Sequence, residues 1–514
     1  MKRSFQMKLP FPFRIATTLV SSLSVFLRED PQEFQRKVKE RLRLANLPIL
    51  SPTLNRANAT NEVSSVQRGL IKQGMLSKAI SYEGSDRSSF LALQAQNSIS
   101  LLTSPIITGK TLHSTSLMSP SPVEGARVLF YLNNSLPYTQ SGYTERTHQL
   151  LTALHKQGVA LHAVTRLGYP VVVGKIPRSS IESIDGITYE RPIPTIYSSS
   201  QNERIRETVR QLVSIAQRFK ATILHTTTDY KNSIVVSQAA EILGIPWVYE
   251  VRGELESTWL SRFSEQEQSK ASQSEFYQLA RAQETQAMKK ASMVISLSEV
   301  SKKAMVKRGV DPDKIVVVPN GIDESLIGRE FNKRAIRDEL GLPQSRIIGS
   351  ISSVVGYEGL DDLIRATHLI PDVTCLIVGD GDTRPELERL TRELDLTDRV
   401  IFSGHQPRDT IWKWYAALDV FALPRKDTAV TRVVTPIKAL TAQALGIPVV
   451  ASSLPALREV TGNQEIYTPA GDPEKLANSI MDAFSATRSP KNPEIKQRSW
   501  EKVSGVLTDF YRSN

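Results

Sequence analysis

Residues 423–452 read LPRKDTAVTRVVTPIKALTAQALGIPVVAS, an order of chain breakers, small residues and apolar runs that lays out a loop, a helix and a strand. Thr435 is placed to cap the helix. Pro436 suits its first turn, because proline lacks the N–H that would find no partner there. Gly446 closes the helix, and residues 447–452 continue as a short buried strand. Such a helix leaves free N–H groups and the positive end of its dipole near residues 435–438, where Lys438 adds a full charge. The segment is predicted to seat an anion.

Outward from this stretch, strand and helix patterns alternate in two blocks. Residues 346–352, 373–378, 400–402 and 420–423 are short apolar runs separated by helical patterns, and Gly379 and Gly381 follow the second run. The earlier block repeats the arrangement with runs at 128–132, 159–165, 222–225, 245–251, 293–297 and 315–319. Strand, glycine-bearing loop, helix and strand form a βαβ unit, whose crossover favours parallel sheets. The expected fold class is α/β, with two doubly wound domains meeting at a cleft by the carboxyl ends of their strands. The expected organisation is an extension and linker over 1–124, a first domain over 125–325 and a second over 326–485. Residues 486–514 would form a terminal helix returning to the first domain. Residues 98–124 are rich in Ser, Thr and Pro and read as the linker; residues 31–47 read as a charged amphipathic helix.

A chain of 514 residues, 40% apolar and 23% charged, is large enough for two cores and ordinary for a water-soluble protein. The single cysteine, Cys375, lies in an apolar run, which excludes a disulfide framework and cysteine-based zinc sites and suits a reducing, cytoplasmic setting. Of the net charge of +11, residues 1–120 carry +9, with sixteen Lys and Arg against seven Asp and Glu. A basic arm beside a neutral body points to an acidic partner surface. With no nucleic-acid motif in the chain, an anionic membrane touched by residues 1–50 is the expected partner, at the inner membrane face. No run of 18 apolar residues exists to span a bilayer. Residues 11–27 come nearest and leave three readings open: a signal peptide without an evident cleavage site, an interfacial helix, or a helix packed on the body.

From Arg127 to Phe484 the order and wording of the motifs resemble the retaining glycosyltransferases of family 4. The matching phrases include Ser141-Gly-Tyr-Thr-Glu-Arg-Thr147, Val248-Tyr-Glu-Val-Arg-Gly253, Val317-Val-Pro-Asn-Gly-Ile-Asp323, Tyr357-Glu-Gly-Leu-Asp361, Ile377-Val-Gly-Asp-Gly-Asp382, Thr435-Pro-Ile-Lys438 and Leu445-Gly-Ile-Pro-Val-Val-Ala-Ser452. The resemblance implies a GT-B fold of two Rossmann-like domains. It also implies transfer of a sugar from a nucleotide-diphosphate donor to a glycan or glycolipid hydroxyl, with retained configuration, no metal and no cofactor. The leaving diphosphate would take the acceptor proton, so the protein's work would be electrostatic.

On that reading, donor contacts are expected from Gly142, Ser353, Gly379, Gly381, Arg425, Val433, Thr435, Lys438 and Thr441. His225, Arg252 and Lys438 are the candidate catalytic groups. Tyr143, Arg146, Glu254 and Glu256 are placed on the acceptor side. Arg252 stands where many family members have a histidine, and arginine cannot act as a base at neutral pH. His148 and His155 read as helix surface. Two departures matter. Val433 and Thr441 occupy the positions of the family's Glu-x7-Glu pair, whose second member usually holds the donor ribose; Ser353 and Glu358 stand where an Arg and a Lys are common. An inactive binding or scaffolding partner of another transferase therefore stands as the alternative.

Overall fold

The computed structural model describes residues 10–30, 33–34, 62–82, 89–103, 125–485 and 493–513. Eight strands form the first sheet: β1 (Arg127–Leu132), β2 (Ala160–Thr165), β3 (Ile181–Ile184), β4 (Ile187–Glu190), β5 (Ile223–Thr227), β6 (Trp247–Val251), β7 (Met293–Ser296) and β8 (Ile315–Val317). Their order is β3-β4-β2-β1-β5-β6-β7-β8, parallel throughout except for the β3–β4 hairpin. Strands such as Val128-Leu-Phe-Tyr-Leu132 are buried on both faces, as a parallel sheet covered by helices requires.

The second sheet comprises β9 (Arg346–Ile351), β10 (Val373–Val378), β11 (Val400–Gly404), β12 (Val420–Leu423), β13 (Val449–Ser452) and β14 (Ile466–Thr468). Its order, β11-β10-β9-β12-β13-β14, reverses between β9 and β12. In doubly wound sheets the crevice at such a reversal is where ligands bind. The two parallel-sheet α/β domains expected from the alternating pattern are present.

The ends of the chain tie the first domain together. Trp500, Val503, Leu507 and Tyr511 from the terminal helices Trp500–Val503 and Gly505–Ser513 join the core behind β1. Near the start of the chain, helices Glu62–Lys72, Leu76–Ile80 and Phe90–Thr103 pack on the opposite face, burying Leu76, Ala79, Ala95 and Leu101 against Val209, Ile215 and Tyr249. The Ser/Thr/Pro-rich segment expected as linker from residue 98 is thus helical to Thr103, because its first residues carry Leu101 and Leu102 into that core. The remainder of that segment, 104–124, and most of the helix expected over 31–47 lie outside the described residues. Residues 11–27 are helical within Phe11–Glu29, and among the described residues no helix is long and apolar enough to cross a membrane.

Contacts also join the domains. Arg146 of the first domain holds Asn320 by Nη1–Oδ1 at 3.1 Å, and Asn320 donates from Nδ2 to the carbonyl of Thr435 at 2.9 Å. The Glu459 carboxylate accepts the N–H groups of Glu299 and Val300 at 2.6 and 2.9 Å, where helix Glu299–Lys307 begins. Arg408 pairs with Glu145 at 2.8 Å.

Candidate functional site

The loops leaving β9 and β12 meet at the sheet's reversal point. Gly359, at φ +70°, makes this possible: a Cβ there would stand 1.8 Å from the carbonyl oxygen of Pro424. The approach brings Glu358 against Arg425, with Nη2–Oε1 at 2.9 Å and Nε–Oε2 at 3.2 Å. Arg425 Nη1 also donates to the carbonyl of Val434 at 3.1 Å. Lys438 Nζ reaches the same carboxylate, 2.7 Å from Oε1. Burial pushes the Glu358 carboxyl up, but Arg425 and Lys438 outweigh it and hold it at about 2. Burial brings the Lys438 ammonium down to about 8, against the pull of Glu358 and with Arg425 adding to the fall. Two cations on one carboxylate leave a net charge of about +1 at neutral pH.

This arrangement corrects the expected anion seat in two ways. The segment forms two short helices, Ala429–Val433 capped by Thr428 and Lys438–Ala444, rather than one helix capped by Thr435. Thr435 is buried, and its side-chain hydroxyl makes no hydrogen bond. The second helix begins without a side-chain cap after Ile437, since the chain first bends across the domain junction to give its Thr435 carbonyl to Asn320. Moreover, the cations are not free: both are held by Glu358. The seat is a side-chain cluster more than a helix tip.

Around it, several expected residues converge. Tyr143 projects from the first domain beside Arg425 and Arg252 and stays half exposed. A Cβ added at Gly253 would lie 2.9 Å from the Tyr143 hydroxyl and 3.9 Å from Val434, so the two domains touch here. Gly142 opens helix Gly142–Lys156 after the Ser141 cap and faces open space, with nothing within 4 Å of a Cβ placed on it. Ser353 is exposed on the loop after β9. Gly379 and Gly381 serve packing: Cβ atoms there would stand 1.8 and 2.2 Å from the carbonyl oxygens of Ser352 and Val354. Val433 borders Arg252, Gly253 and Glu254 across the junction. Thr441 lies beside the hydroxyl of Tyr415.

Several first-domain assignments are corrected. His225 does not face the cleft. It is wholly buried, with Nδ1 2.5 Å from the Tyr511 hydroxyl and Nε2 3.5 Å from Glu250, and burial lowers its pKa. Its strand ends deeper than the sequence suggests, beneath the returning C-terminal helix. Arg146 is 1% exposed and bound to Glu250 at 2.6 Å and to the carbonyls of Val318 and Pro319; it braces the junction and presents nothing to an acceptor. Arg252 is also engaged, donating to Glu250 at 2.5 Å, Thr147 at 2.6 Å and the Tyr143 carbonyl at 2.8 Å. It thereby orients the start of the helix that carries Tyr143. Glu256 is buried against Arg308 at 3.0 Å, and Glu254 shares that arginine at 3.4 Å. Among the histidines, His155 is exposed as expected, whereas His148 is buried between Tyr189 and Asp185 at 2.9 and 2.8 Å.

The sequence reading missed Glu358 as the member that binds the cluster together. A carboxylate standing where a cation is common, with two cations nearby in the fold, was the available signal. Glu250, the buried anion between Arg146 and Arg252, gave none, because its strand is uniformly apolar apart from it. Burial pushes Glu250 up, yet the two arginines carry it well below the usual carboxylate range.

Comparison with known proteins agrees with this architecture. The profile for a glycosyl transferase 4-like domain matches residues 141–321, and that for glycosyl transferases group 1 matches residues 345–485. The D-inositol 3-phosphate glycosyltransferase of Xylanimonas cellulosilytica is 33% identical over 239 residues, 43% of this chain and 56% of that protein. The enzyme of that name from Mycolicibacterium gilvum is 30% identical over 234 residues, 43% of this chain and 52% of its own. The chain thus spans about half the length of these curated relatives. Among solved structures, sucrose-phosphate synthase from Thermosynechococcus elongatus superposes with a TM-score of 0.62 at 19% identity, over 75% of this chain and 98% of that one. Anabaena HepE in complex with UDP-glucose gives 0.59 at 20% identity, over 75% and 100%. With each sheet falling largely within its own matched profile, in order, and their loops meeting across one cleft, the chain belongs to the family 4 glycosyltransferases of GT-B fold.

Proposed function

We propose that the chain is a retaining glycosyltransferase that moves a sugar from a nucleotide-diphosphate donor to an acceptor hydroxyl in surface polysaccharide or glycolipid synthesis. The observation that carries this reading is the pair of cations, Arg425 and Lys438, fixed on one buried carboxylate at the sheet's reversal point and facing Tyr143. A diphosphate entering there gains two charge-assisted partners already held in place, so little reorganisation accompanies the growth of negative charge as the glycosidic bond breaks. The departing diphosphate oxygen takes the acceptor proton, a role that neither Arg252 nor His225 is free to fill. Arg252 stays protonated, and His225 is sealed in the core.

UDP-glucose, bound in the HepE structure, is the first donor to test, and an inositol phosphate, in keeping with the names of the curated relatives, the first acceptor. Thermal stabilisation by a panel of sugar nucleotides, followed by donor turnover, tests the reading; stabilisation by none of them overturns it. One observation favours a second reading, a non-catalytic binding partner. Glu358 already satisfies both cations, and a threonine, Thr441, stands at the ribose position. That reading expects donor binding without turnover, and cellular function that survives Lys438→Ala but not removal of residues 1–120.

A further inference from the structure

Helix Phe11–Glu29 lies outside both family profiles and, among the described residues, docks on the first domain through one face. Arg14 donates to the carbonyl of Ile193 at 3.1 Å, Thr18 to that of Pro194, and Ser21 accepts the N–H of Tyr197 at 3.0 Å, while Val25 is buried. At 100° per residue the opposite face gathers Phe13, Ala16, Val20, Leu23 and Leu27 within about 80° of one another. That stripe holds no charge and is open to solvent: Phe13 is 62% exposed and Val20 68%. The loops beside the helix add two more apolar tips, Ile176 and Ile196, each 70% exposed, with exposed Lys175 and Arg178 flanking the first. An uncharged, exposed apolar stripe on a helix set in a basic stretch of sequence is the composition of a surface that lies in a lipid interface.

We propose that this helix lies flat in the surface of an anionic bilayer, with the stripe and Ile176 among the acyl chains and the surrounding cations among the headgroups. A bilayer is favoured over a second copy of the chain by charge. Residues 1–50 hold ten Lys and Arg against four Asp and Glu, so two copies meeting here would repel, whereas acidic lipids would attract. The helix, about 28 Å long, is too polar on its docked face to span. Its functional meaning rests on the transferase reading: the first domain, which carries Tyr143, would be held where a lipid-borne acceptor is presented.

The test is flotation of the full chain with vesicles of phosphatidylcholine containing about one third phosphatidylglycerol, compared with phosphatidylcholine alone. The full chain is expected to float with the acidic vesicles, less so at raised salt, and only weakly with neutral ones. The double variant Val20→Ser, Leu23→Ser leaves the docked face untouched and is expected to lower partitioning about tenfold or more, with its thermal melting unchanged. No flotation, or equal flotation of the double variant, overturns the proposal. A concentration-dependent dimer abolished by the same substitutions assigns the stripe to a second copy and also overturns it. Stabilisation by the panel of sugar nucleotides, read on the same samples, separates the two claims: flotation without binding of any donor sinks the transferase reading alone, and donor binding without flotation sinks the membrane surface alone.

Discussion

Lys438 and Glu358 carry shifts of opposite consequence for stability. Glu358, held at about 2 when folded against 4.5 ordinarily, stabilises the protein above pH 4.5, and this is lost as pH falls toward 2. Lys438, at about 8 against 10.5, costs stability at neutral pH, and that cost fades as pH rises toward 10.5. Within this one coupled cluster the two effects oppose each other at neutral pH. Its charge has a pH window: Glu358 stays ionised, and the ammonium is lost as pH rises past about 8. Affinity for UDP, measured by calorimetry, is therefore expected to weaken between pH 7 and 9, and Lys438→Arg is expected to flatten that profile. Lys438→Ala at pH 7 is expected to weaken UDP binding by about 10- to 100-fold, the worth of one charge-assisted contact.

At the level of the element, the seat depends on the crossing of the β9 and β12 loops at Gly359. Both partners in the crossing are backbone, so neither yields easily. Gly359→Ala is expected to destabilise the protein by about 3 kcal/mol, combining the left-handed backbone with the collision at Pro424, and to displace the adjoining Arg425. Gly446→Ala is the control: its φ is +69°, yet a Cβ there meets nothing within 4 Å, so only the backbone cost of about 1 kcal/mol is expected. Urea denaturation of the two variants measures the difference.

For the whole molecule, the contacts across the cleft set how closely the domains stand. Arg408–Glu145 and the Glu459 carboxylate at the start of helix Glu299–Lys307 join the domains at two places apart from the Asn320–Thr435 junction. Partly exposed pairs of this kind are worth about 1 kcal/mol or less singly. The double variant Arg408→Ala, Glu459→Ala is therefore the informative one. Its radius of gyration by small-angle scattering is expected to exceed that of the native chain without nucleotide and to return toward it when UDP is added; an unchanged value would show that the remaining junction alone holds the domains.

Periodicity and glycine placement in the sequence were enough to call two α/β halves, because parallel strands buried on both faces must be continuous apolar runs and their crossovers must be helices. Arg425 and Lys438 were legible for the same local reason, each lying at the end of a strand or the start of a helix. His225 and Arg146 were not: both follow local patterns that place them near a strand end or a helix start, and only the returning C-terminal helix and the buried Glu250 turn them into packing. Thr435 likewise had a capping residue's neighbours, but Asn320, distant in the chain, draws its carbonyl across the junction and delays the helix. Glu358 became the keystone of the seat only through Gly359's contact with Pro424. The sequence by itself determined most of the elements and the residues able to hold an anion, since spacing along one chain reports local geometry. Which charges meet was left to the tertiary structure, because pairing energies depend on burial and on partners far apart in sequence.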